Sequence, residues 1–148
     1  MRKKLSLAGM LILLAFPGIS PAGAASVSEC ITSREHGLSC LGEVTKACLA
    51  SEKAPVDDTV HECYQSEYVQ WNQIVVKAAR SLKNRLKDKA LETFKTAQKA
   101  WELYRAKSCR LPYQVMKGRA ALVAGLACNR DVTARRALEL IAFQKALK

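Results

Sequence analysis

The residues with the most chemical potential in the 148-residue chain are two histidines and six cysteines. His61-Glu62-Cys63 begins like the helix of a zinc protease, but the second histidine of that motif is absent. His61 and Cys63 are two residues apart, so on a helix they do not face each other as a base and a nucleophile would. The sequence also lacks a Gly-rich phosphate loop, and none of its cysteines has C-x-x-C spacing. We therefore predict no catalytic residue, no metal ligand, no cofactor and no enzymatic activity.

The first 24 residues have the pattern of a cleaved secretory signal peptide. Basic residues 2–4 precede an uncharged, largely apolar run over 5–19, and Ala22-Gly23-Ala24 fits the small-x-small cleavage rule. The run is interrupted by Pro17 and is shorter than the roughly 20 apolar residues of a membrane-spanning helix. The cleavage site has no lipoprotein cysteine. We expect a periplasmic or secreted mature chain with no transmembrane segment.

All six cysteines lie in the part of the chain that export would deliver to an oxidising compartment. An even number of cysteines in a small exported chain is typical of a disulfide framework. The sequence by itself leaves about 15 pairings open. The cysteines are Cys30, Cys40, Cys48, Cys63, Cys109 and Cys128.

The positive charge is concentrated in the second half of the chain. The formal net charge is +11, of which the signal peptide carries +3, and residues 25–76 are net acidic while residues 77–148 are strongly basic. Export makes nucleic acid an improbable partner, so lipid headgroups, lipopolysaccharide or an acidic protein cleft are better candidates for the basic region. The alternative is a solvated helix face. The candidate binding cations in this region are Lys83, Arg85, Lys87 and Lys89.

Hydrophobic periodicity predicts an all-α fold. A stripe at three- and four-residue steps predicts a helix over 59–87, where Thr59 to Glu62 resembles a capping box, and a second helix follows over 89–108. A third helix is expected between Pro112 and Cys128, and a last one from a Thr133 cap to Leu147. We predict a small disulfide-stapled helical domain built on an antiparallel pair of long helices.

One domain accounts for the whole mature chain at this length. Residues 25–57 form an irregular, cysteine-rich N-terminal segment with short helical turns near Cys30 and over 43–49. Residues 58–148 form the helical core. Trp71 and Trp101 lie on the apolar stripes and are expected to pack in this core. Arg105, four residues after Trp101, is expected to stack on its indole or to pair with a carboxylate of the other long helix, in a structural role.

The run from Ala97 to Cys109, AQKAWELYRAKSC, resembles the signature of the LprI-like lysozyme-inhibitor domain family, which reads roughly A-Q-x-A-W-x-x-Y/F-R-x-x-x-C. An early cysteine pair, and the residues from Cys128 to Leu140, add to a resemblance that covers about residues 40–140. The family motif places structural roles on Gln98, Trp101, Tyr104, Arg105 and Arg136. The resemblance implies a helical, exported protein with sequence-local disulfides, which here would be Cys48–Cys63 and Cys109–Cys128 and would leave Cys30–Cys40.

The resemblance implies an exported, non-enzymatic envelope protein that binds a lysozyme-like muramidase and blocks it by occlusion. Muramidase clefts carry paired carboxylates, so the basic loop Lys117-Gly118-Arg119 is the candidate inhibitory contact. This loop replaces a Gly-Gly-Ser turn common in the family, and residues 71–76 also depart from the family's W-D-x-x-L-N.

Net charge argues against a basic lysozyme, which a mature chain of +8 would repel. The alternative functions are a binding module for anionic envelope components and a structural envelope partner.

Overall fold

The computed structural model describes residues 26–34 and 37–147, so the predicted signal peptide and His36 lie outside the described part. The described residues are largely helical. A 3₁₀ turn over Gly37–Cys40 separates the first two of six helices, which are α1 Val27–Ser33, α2 Glu43–Ala50, α3 Asp57–Arg85, α4 Asp88–Ser108, α5 Leu111–Val115 and α6 Gly118–Ala146. The all-α prediction is confirmed.

The most extensive packing in the bundle is between α3 and α6. Their first turns meet where Arg119 Nη1 lies 2.7 Å from Asp57 Oδ1, and their last turns meet where Arg85 donates to the carbonyl oxygen of Gln144. Like ends therefore lie together, and α3 and α6 are parallel. This packing does not confirm the predicted antiparallel pair as the basis of the domain.

Three disulfides link the helices and the 3₁₀ turn. They join Cys30 to Cys40, Cys48 to Cys63 and Cys109 to Cys128, which are the pairs that the resemblance implies. The second bridge attaches α2 to α3, and the third attaches the end of α4 to α6. Disulfides stabilise a small domain mainly by restricting the unfolded chain.

Helix α1 begins at a complete capping box. The Ser26 hydroxyl accepts a hydrogen bond from the Glu29 backbone N–H, and the Ser26 backbone N–H donates to Glu29 Oε2. The backbone hydrogen bond from Ser26, followed by its side chain, lowers the pKa of the exposed Glu29 carboxyl. The helical turns predicted near Cys30 and over 43–49 correspond to α1 and α2.

The core lies where α3, α6 and α1 meet. Trp71, Leu82 and Leu140 are completely or almost completely buried, and Val27 from α1 joins them. Trp71 is thus a core residue, as its place on the apolar stripe predicts. Within the described residues, no helix has the length and apolar character needed to cross a membrane.

A buried carboxylate, Glu67, connects α3 to the N-terminal region. Its Oε1 accepts hydrogen bonds from the Gly42 backbone N–H (2.7 Å) and from the indole N–H of Trp71 (3.1 Å). Its Oε2 accepts from the backbone N–H (2.8 Å) and the hydroxyl (2.7 Å) of Thr45. All four partners are donors, and an ionised carboxylate is a pure acceptor, so the site is fully satisfied. Glu67 is therefore a structural anchor between α3 and the N-terminal region.

Two predicted helix boundaries are wrong. Helix α3 begins at Asp57 after a Val56 cap, so Thr59 lies inside the first turn and does not cap it. The two helices predicted after Pro112 are the short α5, which contains Pro112, and the continuous α6. Thr133 resembled a cap, but it is buried in the middle of α6, where its hydroxyl accepts a hydrogen bond from Arg105.

Candidate functional site

The family-motif residues of α4 form a cluster around Trp101. The guanidinium carbon of Arg105 lies 4.7 Å from the centre of the Trp101 ring, and that of Arg136 lies 5.9 Å away. Both distances are within the range of cation–π attraction. Trp101 is only partly buried, so it packs at the edge of the core.

Hydrogen bonds connect this cluster to all three long helices. Arg136 of α6 donates through Nε and Nη2 to Gln98 Oε1, at 3.1 and 2.9 Å. Arg105 of α4 donates to Asn72 Oδ1 of α3 and to the Thr133 hydroxyl of α6. Arg105 therefore makes one of its two expected contacts, the stacking on the Trp101 indole. Its hydrogen bonds go to an amide and a hydroxyl, and not to a carboxylate of the other long helix. These contacts support a structural role for the cluster.

Tyr104 lies outside the cluster. It belongs to the same family motif, but 59% of it is exposed to solvent on α4. The structure therefore brings Gln98, Trp101, Arg105 and Arg136 together and leaves Tyr104 on the surface.

The second feature is a protruding segment at the end of the bundle, residues 109–119, which we call the α5 corner. It contains α5 and the turn into α6. Its first residue is the almost completely buried Cys109. The disulfide from Cys109 to Cys128 fixes the segment to the first half of α6. The corner is thus held covalently as well as by packing.

A glycine of α6 lets the corner pack closely. A Cβ atom placed on Gly125 would lie 2.1 Å from Tyr113 Cε2, so the Tyr113 ring occupies the space that any side chain at 125 would need. The Gly125 carbonyl also accepts a hydrogen bond from the Asn129 amide. Gly125 therefore serves packing and does not interrupt α6.

We predict that Gly125→Ala destabilises the protein by about 1–3 kcal/mol, because Tyr113 must be displaced. An alanine in an unobstructed helix position stabilises instead, by about 1 kcal/mol relative to glycine. In a Tyr113→Ala background the same Gly125→Ala substitution should therefore become stabilising. Urea unfolding of the four proteins measures the reversal. A Gly125→Ala variant as stable as the wild type in both backgrounds would show that Tyr113 does not need this space.

The corner exposes apolar side chains beside a free cation. Val115 is 71% exposed, and Leu111 and Met116 are exposed as well. Lys117, which follows them directly, is exposed and takes part in none of the ion pairs found among the described residues. Clusters of exposed apolar side chains are typical of binding surfaces.

Gly118 and Arg119, the other two residues of the predicted basic loop, have structural roles. Gly118 begins α6 with φ +60°, a backbone conformation that favours glycine. Arg119 donates to Asp57 Oδ1 and to the carbonyl oxygen of Pro55, both at 2.7 Å. Lys117 is consequently the member of this loop that is available to a partner.

The basic residues at the end of α3 lie at the opposite end of the bundle. Arg85 donates to the carbonyl oxygens of Gln144 and Leu147 at the end of α6, where cations stabilise a helix. Lys83, Lys87 and Lys89 are exposed. About 36 Å of α6 separates residue 119 from residue 143 at the helical rise per residue. The two groups of candidate cations therefore cannot act on one small ligand.

Nucleophilic or metal chemistry finds no support near His61. His61 is exposed at the start of α3, and Cys63 is consumed in a disulfide. Across residues 26–34 and 37–147, no three His, Cys, Asp or Glu side chains are grouped so as to hold a metal ion.

Sequence reasoning missed the apolar part of the corner. The sequence predicts a helix between Pro112 and Cys128, and this prediction does not indicate that Leu111, Val115 and Met116 are exposed. The available signal was their position between a cysteine that ends one helix and a glycine that begins the next. A short segment between two helices has few neighbouring residues that could cover its apolar side chains.

The comparisons with known proteins give one match. The model of the family described as Lysozyme inhibitor LprI matches residues 48–140. No curated protein matches the chain, and no solved structure does. The matched range contains α3, α4, α5 and most of α6, and therefore both the Trp101 cluster and the α5 corner.

Proposed function

The chain belongs to the lysozyme inhibitor LprI family, and on this basis we propose that it is an exported, non-enzymatic envelope protein that binds a lysozyme-like muramidase and blocks its cleft. The three disulfides support export to an oxidising compartment, the periplasm or the exterior. Inhibition by occlusion requires no catalytic group of the inhibitor.

The observation that carries the proposal is the composition and rigidity of the α5 corner. Muramidases use a pair of carboxylates that flank the scissile bond. Lys117 is a cation that forms no ion pair with any other residue that the structure describes, and Val115 and Met116 beside it offer apolar contact area. The Cys109–Cys128 bridge and the Tyr113–Gly125 contact hold the corner in place. Such preorganisation lowers the entropy cost of binding.

The distribution of charge along the bundle reduces the repulsion expected between a basic chain and a basic lysozyme. The start of α3, which meets the α5 corner through the Asp57–Arg119 pair, carries Asp57, Asp58 and Glu62. The cations of residues 77–89 lie toward the opposite end. The acidic residues at the start of α3 therefore partly offset the positive charge of Arg110, Lys117 and Arg119 in the corner, and the remote positive charge is partly screened at physiological salt.

The test is the clearing of a cell-wall suspension by several muramidases in the presence of the exported, oxidised protein. Inhibition that saturates at a one-to-one ratio, with a complex that elutes as one species, is the expected result. An unchanged rate at stoichiometric excess of the protein, with no co-eluting complex for any of the enzymes, would contradict the proposal.

The charge of Lys117 gives a sharper prediction. Lys117→Glu should weaken inhibition by about tenfold or more, because the new carboxylate faces the carboxylates of the cleft and about 1.4 kcal/mol corresponds to each factor of ten. Lys77→Glu is the matched control, since Lys77 is also exposed but lies about 30 Å along α3 from its start. Equal inhibition constants for the two variants would remove the corner from the contact.

A further inference from the structure

A groove lies at the end of the bundle opposite the α5 corner. It is formed by the last turn of α3, the first half of α4 and the second half of α6, and we call it the α4–α6 groove. Its cavity has a volume of about 660 Å³, which is within the range of roughly 300–1,000 Å³ found for small-molecule sites. It extends from Arg136 to Leu147, about 16 Å along α6.

The walls of the groove are almost entirely apolar. Leu82, Leu86 and Phe94 form the floor and are partly or fully buried, whereas Phe143 at the rim is 46% exposed. On α4 the lining residues include Ala90 and Ala97, whose small side chains leave the space open. Phe143 and Leu147 therefore face an apolar space that a hydrocarbon would fill favourably.

The charged groups of the groove are placed unequally along its length. At one end Arg136 and Glu139 form an ion pair of 2.8 Å and neutralise each other. At the other end Lys89 lines the groove and is in none of the ion pairs of the described residues, and Arg85 lies nearby at the carbonyl end of α6. Among the described residues that line the groove, Lys89 is thus the charged side chain without an ion-pair partner.

We propose that the α4–α6 groove binds one long-chain fatty acid, with its alkyl chain along α6 and its carboxylate at Lys89. An unbranched alkyl chain with one anionic end matches an apolar groove about 16 Å long, in which Lys89 is the charged lining residue outside the ion pairs of the described residues. A second copy of the protein is a poorer occupant, since the exposed Lys83, Lys87 and Lys89 of two copies would be brought together. This binding activity is additional to muramidase inhibition and involves the other end of the molecule.

The experiment is displacement of the fluorescent fatty acid cis-parinaric acid from the exported, oxidised protein by palmitate and by the uncharged hexadecanol. Saturable displacement by palmitate is expected. Ala97→Phe should weaken palmitate binding by about tenfold or more, because the ring fills the groove. Ala106→Phe is the matched control, since Ala106 is exposed and lies nine residues further along α4, on the opposite face of the helix. Lys89→Glu should weaken palmitate binding while leaving that of hexadecanol unchanged.

Circular dichroism and the thermal transition establish that each variant is folded. The proposal is overturned if palmitate shows no saturable displacement, or if folded Ala97→Phe binds palmitate as the wild type does. Sedimentation provides the test of the other occupant. A wild-type dimer that Ala97→Phe dissociates and palmitate leaves intact would assign the groove to self-association, against this proposal. Inhibition of muramidase by Ala97→Phe should remain normal, so failure here is distinguishable from failure of the proposed function.

Discussion

Glu67→Gln should lower the free energy of unfolding by about 3–5 kcal/mol, although it changes a carboxylate into an amide of the same size. The carboxylate accepts four hydrogen bonds, from Gly42, Trp71 and both donors of Thr45. If an amide nitrogen replaced either oxygen, its hydrogens would face the N–H or O–H groups from which that oxygen now accepts. The described residues offer those groups no other side-chain acceptor. The loss combines weaker hydrogen bonds with unsatisfied buried groups.

Urea unfolding of the oxidised protein measures this effect. Glu62→Gln is the matched control, because Glu62 is on the same helix but exposed, and surface substitutions usually change stability by less than about 0.5 kcal/mol. If Glu67→Gln costs no more than Glu62→Gln, the four hydrogen bonds do not anchor α2 and α3 as the structure indicates.

Replacing Cys109 and Cys128 together by alanine should reduce stability by about 3 kcal/mol and should also reduce inhibition. The bridge closes a loop with a sequence separation of 19, and in the chain-entropy account a loop of this length is worth about 3 kcal/mol. Because the same bridge fixes the first residue of the α5 corner, its loss frees the segment that carries Lys117. Binding would then incur the entropy cost of ordering that segment.

Replacing Cys30 and Cys40 together by alanine is the control for this effect. That bridge has a sequence separation of 10 and a similar expected worth of about 3 kcal/mol, but it lies among α1 and the 3₁₀ turn. Both double variants should unfold at lower urea concentrations. Only the Cys109/Cys128 variant should inhibit less well under conditions where both are folded. Equal inhibition by the two would show that covalent fixation of the corner is irrelevant to binding.

The sequence is informative wherever a local pattern determines the structure. The three- and four-residue spacing around Trp71 predicts α3, and the same spacing around Trp101 predicts α4. Helix ends are less determined, because a hydroxyl such as that of Thr133 can cap a helix or accept a hydrogen bond from a distant arginine. In the structure Arg105 uses it, and α6 continues through this point without a break.

Hydrophobic periodicity does not predict that α3 packs against α6. An apolar stripe shows that a helix packs against something, and it does not identify the partner or its direction. The role of Glu67 is hidden for a related reason. A carboxylate on an apolar stripe looks like an interruption until the donors of Gly42 and Thr45, more than 20 residues away, are placed beside it.

The candidate site was only partly predictable. Lys117 was identified from charge and from its position in the family resemblance, whereas the exposure of Val115 and Met116 is visible only in the folded structure. Burial depends on what the rest of the chain covers, and a short helix between two long ones gives little local indication of that.

Hydrogen exchange of the protein alone and in complex with a muramidase that it inhibits locates the inhibitory contact directly. If the α5 corner enters the cleft, exchange in residues 109–119 should slow on complex formation, with little change over residues 77–97 at the other end of the bundle. Inhibition accompanied by slowed exchange only at residues 77–97, with the α5 corner exchanging as in the free protein, would contradict this placement of the contact.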